Sequence, residues 1–426
     1  MSTERIILGN NCIFNGNPKE TGLNRNVLVV GGTGSGKTVS FVEPALIETL
    51  RVTRPHNKIV ILTKRELANK YIPLYKDAGF SVYDLDFSNP ENGNCCYNPL
   101  AYMKSDEDIS DLSHAIVMAN DRKEHTNADP FWDDSSEQLQ GAEIAATLMI
   151  KDKATYADVL DLHSSLKIEE SGCGITTSLD SVFRRIERTA PDCYAINCWK
   201  TFKEAAPRTA KSIYVSMNST LRAFTASIRN SMRTKPSVDF GKFADEKSIL
   251  FITTSPVKKA LHSLANIFVS QAISELFSIA DESVSGTLPI PTDIIFDDFA
   301  TGAKVADMPE KLSICRAKGI AFLGLLLQSE LQLRRMYGEF GAAEIIDNCD
   351  HYVFMGGNNY ETARALSLKL NVPLEDILYL PVGHIIVFRR GQKPMFSTRY
   401  DVYHDEFYKK ITKEWEYKSS QRSRER

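Results

Sequence analysis

Apolar residues fall along this chain in two alternating textures. Short apolar runs, Val27-Leu28-Val29-Val30 and Ile59-Val60-Ile61-Leu62, are followed by a stretch of helical spacing, Glu66 to Ala78, and then by the more mixed strand-like run Phe80-Ser81-Val82-Tyr83-Asp84-Leu85. Continuous apolar runs of that length predict strands buried on both faces, and their alternation with a helix predicts a parallel α/β sheet. From about Ser105 the texture changes. Up to about Arg233 the spacing is helical, as in Glu137-Leu139-Ala142-Ile144-Ala145-Leu148-Met149, which predicts an all-helical insertion. Strand-like runs return at Ser248 to Thr253, Ile290 to Phe296, Ala321 to Leu327, Tyr352 to Met355 and His384 to Phe388, for a sheet of about eight strands in all. The expected division is 1–104, 105–235, 236–411 and a polar, basic tail 412–426 expected to be disordered.

The first apolar run ends directly in Gly31-Gly32-Thr33-Gly34-Ser35-Gly36-Lys37-Thr38. This fits the phosphate-binding loop G-x-x-x-x-G-K-[ST], placed where a buried strand gives way to a helix. The glycines let successive N–H groups turn inward on an anion. Lys37 reaches the β- and γ-phosphates in such a loop, the Thr38 hydroxyl ligates Mg²⁺, and the helix opening near Val39 turns its positive end to the phosphates. The chain is therefore expected to bind ATP with Mg²⁺.

A loop of this kind needs carboxylates on a neighbouring strand. Thr292-Asp293-Ile294-Ile295-Phe296-Asp297-Asp298 has the required form, an apolar strand closing on two acids. Asp297 is assigned to the metal and Asp298 to activating water. The next strand closes on Gln328, a side-chain type that can position water, and Arg316 precedes that strand on a helix.

Composition adds limits. The chain has 426 residues, 43% hydrophobic and 25% charged, with a net charge of −3, which argues against a surface that coats nucleic acid throughout. Its eight cysteines form no C-x-x-C pair, so reduced thiols are expected rather than a zinc site. The N-terminal residues MSTERIILGNN lack the apolar core of a signal peptide, and the longest apolar run, Ile320 to Leu327, is far short of the ~20 residues that span a bilayer. A cytoplasmic protein is expected, reaching the cytoplasmic face of a membrane only through a partner.

Several motifs then fall in one order: TGLNRNVLVVGGTGSGKT with Pro44 behind it, Tyr97-Asn98-Pro99-Leu100, Asp129-Pro130-Phe131-Trp132, and the acidic strand leading into Phe299-Ala300-Thr301-Gly302. Arg316-Ala317-Lys318-Gly319-Ile320, a strand closing on Gln328-Ser329, Gln332-Leu333 with Tyr337-Gly338, Asp347-Asn348-Cys349-Asp350 and Met355-Gly356-Gly357-Asn358 follow. From about Ile7 to Tyr408 the chain resembles the TraG/TraD family of type IV coupling proteins, relatives of the FtsK and HerA translocases. The resemblance implies a RecA-like nucleotide-binding domain interrupted by an all-α domain. It implies a ring of six subunits with ATP at the interfaces and DNA in the pore, Gln328 as the motif glutamine and Arg316 as an arginine finger. It also implies relaxase or relaxosome proteins and secretion-channel components as partners, with a separate membrane anchor.

Three departures stand out. Asp297-Asp298 replaces the family's Asp-Glu, and Thr63-Lys64-Arg65-Glu66 replaces an Asp-Pro-Lys-Gly-Glu element. The N-terminal transmembrane helices common in the family have no counterpart here. Lys258-Lys259 and Arg334-Arg335 are candidate pore cations, and Arg184, Arg185 and Arg188 candidate substrate contacts. The expected function is an ATP-driven translocase delivering nucleoprotein to a type IV secretion channel. A nucleotide-binding scaffold with little hydrolysis and a HerA-like helicase remain as alternatives.

Overall fold

The computed structural model describes residues 4–119, 131–172, 174–255, 257–301 and 304–424. Asp129 and Pro130 of the quoted motif lie outside them, as does the side chain of Lys259. The apolar runs form one nine-stranded sheet: β1 (Val27–Val30), β2 (Asn57–Leu62), β3 (Ser81–Asp86), β4 (Ser248–Thr253), β5 (Thr292–Phe296), β6 (Ile320–Leu327), β7 (His351–Phe354), β8 (His384–Arg389) and β9 (Met395–Thr398). Their order across the sheet is β9-β8-β7-β1-β6-β5-β2-β4-β3. The seven strands from β7 to β3 are parallel, and β8 and β9 extend the edge antiparallel. The fold is thus the expected α/β P-loop architecture, with one strand more than the sequence suggested. That ninth strand alternates half-buried and exposed residues, so no continuous apolar run announces it.

Successive residues of each central strand enter different cores, as the period of two requires. Leu28, Val30, Ile59, Ile61, Ile294 and Phe296 face the helical segment and the long helix α3 (Lys259–Glu282, numbered after the two helices below). Val27, Val29, Val60, Leu62 and Ile295 face α1 (Glu43–Arg51) and α2 (Arg65–Asp77). By length and composition α3 is the one described helix apolar enough to cross a membrane. Most of it is buried here: Leu264, Ala265, Phe268, Ala272, Ile273 and Leu276 all lie inside the core.

Between β3 and β4 the chain forms the expected helices, among them Asp106–Met118, Phe131–Ile150, Tyr194–Lys203 and Pro207–Thr220. The segment is not all-α, however: Ile168–Ser171 and Gly174–Thr177 pair as an antiparallel hairpin. Both strands are short, and only Ile175 of their residues is buried, which hides them in the helical pattern around them.

The tail also differs from expectation. Three further helices are α4 (Met308–Lys318), α5 (Glu330–Asp347) and α6 (Glu406–Arg424), and the last runs through the stretch expected to be disordered. Phe407, Ile411 and Trp415 recur every fourth residue and pack on the core beside α1 and α2, so the anchoring face begins before 412. Ahead of α6, Lys70 stands 5.0 to 5.4 Å from the ring centres of Tyr71, Tyr403 and Tyr408.

At the N-terminal edge of the parallel strands lies a buried ion network. Arg25 donates to both oxygens of Asp293 (3.1 and 2.7 Å) and to Glu4 (3.1 Å). Lys58, fully buried, donates to Glu4 and Asp293 at 2.9 Å each. Burial alone would raise the Asp293 pKa, but Arg25, Lys58 and His56 outweigh it and hold the carboxyl well below its usual range. Both acids are thus answered by the two basic side chains packed against them.

Candidate nucleotide-binding site

The phosphate loop leaves the C-terminal end of β1 and is held from both sides. Gly31 N–H donates to Leu327 O at the end of β6 (3.0 Å), and Gly32 N–H to Gly356 O beyond β7 (3.0 Å). A Cβ on Gly31 would stand 2.5 Å from Ser35 Oγ, so only glycine lets the loop close on itself. Gly36 has φ +83°, the left-handed backbone that favours glycine. The chain then enters its helix through a wide π-helical turn, Thr38–Val42, in which Glu43 N–H reaches back to Thr38 O. Thr33 is exposed at the tip, Ser35 is buried with its hydroxyl unpartnered, and Val39 stands just inside the turn.

Lys37 is nearly buried and donates to Gly31 O (2.6 Å) and Gly32 O (3.4 Å), which aims the ammonium along the loop. Burial lowers its pKa, with the nearby Asp298 and Asp297 acting the other way.

Because β5 is parallel to β1 with β6 between them, Asp297 and Asp298 emerge at the same sheet edge as the loop. Thr38 Oγ1 stands 3.5 Å from Asp297 Oδ2. Burial, and then the charge of Asp298, push the Asp297 pKa up to about 6. A carboxylate so raised, beside a threonine hydroxyl, is a donor set that a divalent cation would satisfy. Asp298 has φ +54°, unusual for a side-chain-bearing residue, and its Oδ2 accepts from Thr63 Oγ1 (3.3 Å). Behind this turn Phe299 stacks on Tyr337 (ring centres 5.9 Å apart), whose hydroxyl accepts the Val305 N–H (3.0 Å).

Gln328 is exposed at the end of β6, directly after the Leu327 that bonds the loop, and so stands between loop and acids. Arg316 is not brought to this site. It lies on α4, which leads into the start of β6 at the opposite edge of the sheet, eight residues or roughly 25 Å of strand away. It is exposed, and its guanidinium touches Gly22 O (3.3 Å).

The altered element after β2 is also placed. Arg65 forks onto Asp84 of β3 with two contacts of 2.5 Å, away from the loop, while Thr63 turns to Asp298. Of the candidate pore cations, Lys258 is exposed, whereas Arg334 is engaged by Glu339 (2.6 Å) and Glu330 (3.7 Å). Arg184, Arg185 and Arg188 are exposed on the helix Asp180–Thr189. Two further groups meet the loop: the backbone of Met355-Gly356-Gly357, which backs it, and Arg399, whose guanidinium lies against Gly36. Neither contact has a local signal in the sequence, since each joins distant parts of the chain.

The family model for type IV secretory system conjugative DNA transfer matches residues 3–371. The chain belongs to that family. It is a coupling protein of conjugative DNA transfer, serving delivery of DNA to the secretion system.

Among solved structures, the bacterial conjugative coupling protein TrwBdeltaN70 in complex with sulphate is similar at 17% identity and a TM-score of 0.62. The match covers 88% of this chain and 85% of that one. The plasmid coupling protein TrwB in complex with ADP and Mg²⁺ matches at 16% identity and a TM-score of 0.62, with the same coverage. VirB4 of Thermoanaerobacter pseudethanolicus matches at 11% identity and a TM-score of 0.54, covering 94% and 97%. At these identities the likeness concerns the fold. No curated protein is significantly similar to the coupling protein in sequence.

Proposed function

We propose that this coupling protein is an ATPase that couples hydrolysis to movement of DNA, without reading its sequence, through a ring of six subunits. The observation that carries this reading is the convergence of a glycine-rich loop, Lys37, Thr38, Asp297, Asp298 and Gln328 at one edge of one sheet. Similar folds have been found with ADP and Mg²⁺ and with the non-hydrolysable analogue ADPNP, which supports ATP and Mg²⁺ as ligands here.

Gly31 to Val39 would hold the phosphates through backbone N–H groups, and Lys37 would neutralise the β- and γ-phosphates. Thr38 and Asp297 would hold Mg²⁺, whose bound charge offsets that developing on the phosphates. Asp298 would take a proton from the attacking water, and Gln328 would orient that water. Arg316, exposed and distant from its own loop, would act as an arginine finger only by reaching the site of a neighbouring subunit in the ring. DNA would run through the centre, with relaxosome proteins delivering it and channel components receiving it.

One observation favours a second reading, a nucleotide-dependent scaffold with little turnover. Asp298 is a short carboxylate whose Oδ2 already accepts a hydrogen bond from Thr63, so one of its acceptor sites is taken. ATP turnover with and without DNA, in the wild type and in Lys37→Ala, separates the two. Turnover above the variant and raised by DNA supports the motor; turnover no greater than the variant's leaves the scaffold.

A further inference from the structure

Arg399 directly follows β9, and the topology brings it to the phosphate loop. β8 runs antiparallel to β7, and β9 antiparallel to β8, so the end of β9 returns to the edge where β1 delivers Gly31. The Arg399 N–H is tied to Gly383 O (2.9 Å), fixing its backbone at that edge. The side chain lies across the loop. A Cβ built on Gly36 would stand 3.0 Å from Nη1, 3.5 Å from Cδ and 3.6 Å from Cζ of Arg399. Gly36 is therefore needed twice, for its φ and for the room it leaves the guanidinium.

The Arg399 guanidinium stands without a counter-ion in the described part of the chain. Among the described residues no carboxylate pairs with it and no side-chain hydrogen bond engages it, and its Nε is buried without a partner. Arg51 and Arg65, also half-buried, each grip an aspartate at 2.5 Å. A guanidinium stays charged at any working pH and offers five donors in a fixed fork that matches phosphate oxygens. Holding one half-buried and unpaired is unfavourable unless an anion completes it.

We propose that Arg399 is a phosphate-binding residue of the nucleotide site, acting within its own chain on the phosphates of a nucleoside di- or triphosphate seated in the loop. The assignment rests on the reading of that loop as a nucleotide site. It differs from the role given to Arg316: Arg399 serves binding inside one subunit, so its effect needs no assembly.

The test is titration of ADP and of inorganic pyrophosphate, each with Mg²⁺, into wild type, Arg399→Ala, Arg399→Lys and Lys37→Ala at concentrations where the chain is monomeric. Melting curves without ligand confirm folding. The expected result is a loss of about 10- to 100-fold in affinity for both ligands in Arg399→Ala, with partial recovery in Arg399→Lys. ADP binding equal to wild type in Arg399→Ala, while Lys37→Ala weakens it, overturns the proposal and leaves the nucleotide site standing. A loss confined to ADP, with pyrophosphate unaffected, also overturns it, since the contact would then be to the nucleoside. Absence of binding in the wild type itself would count against the loop reading and against the proposal with it.

Discussion

Thr63 Oγ1 lies 3.3 Å from Asp298 Oδ2 and donates a hydrogen bond to it, joining two positions at which this chain departs from the pattern of the family it resembles. The shortened acid and the threonine that stands where an aspartate is usual are thus one local change. The Thr63 hydroxyl occupies an acceptor site of the carboxylate and fixes its orientation, so an attacking water must compete with it for that oxygen.

If Asp298 activates water, Asp298→Asn should reduce kcat by about 10²-fold or more, with nucleotide affinity little changed. Thr63→Val removes the donor while keeping the volume. It should raise kcat by roughly two- to tenfold, the worth of one hydrogen bond to the base. Steady-state kinetics with separate kcat and KM would check both, and a fall in kcat for Thr63→Val would count against the restraint.

Asp297 gives a prediction with a definite sign. Its folded pKa of about 6 lies above the ordinary aspartate value, so the folded state binds more protons than the unfolded one between those two values. Stability without ligand should therefore fall as pH rises from about 4 to about 6 and then level off. Asp297→Asn should remove that slope and stabilise the protein at pH 7 by up to about 3 kcal/mol, while Mg²⁺-dependent nucleotide affinity is lost. Denaturant melts across this pH range, with and without Mg²⁺ and ADP, read both effects.

Arg316 should act only in trans. Arg316→Ala is expected to lower turnover by about 10³-fold, as other such fingers do. Mixed with Lys37→Ala, it should regain part of the activity, because the second variant lends its arginine to an intact loop. Mixtures no more active than either variant alone would place Arg316 outside the site.

The buried network should matter for stability alone. Asp293→Ala leaves Arg25 and Lys58 buried beside a single remaining acid, at an expected cost of about 3–5 kcal/mol. The wild-type contribution of Asp293 is complete above the ordinary aspartate pKa and is lost only as pH falls through its depressed folded value. Urea melts at pH 7 and pH 4 should therefore show it undiminished.

Much of this was legible in the sequence where the signal was local. Val27 to Val30 and the loop behind them lie within a dozen residues, and Asp297 and Asp298 follow their strand directly. Burial on both faces made the parallel strands continuous apolar runs. Features held by long-range pairing were not legible. Lys58 sits in an apolar strand with nothing nearby to mark its partners Glu4 and Asp293. The half-exposed strand Met395–Thr398, the hairpin near residue 170 and the helix through the tail lack continuous apolar runs, so the polar residues dominated their reading.

Hydrolysis at Lys37, Asp297 and Asp298 is expected to move DNA. Displacement of a third strand from a triplex by the protein approaching along the duplex tests it most directly. With ATP and Mg²⁺ the wild type should displace the strand, and Lys37→Ala, or wild type with a non-hydrolysable analogue, should not. DNA-stimulated hydrolysis without displacement from either direction, or displacement equal with the analogue, would contradict the account.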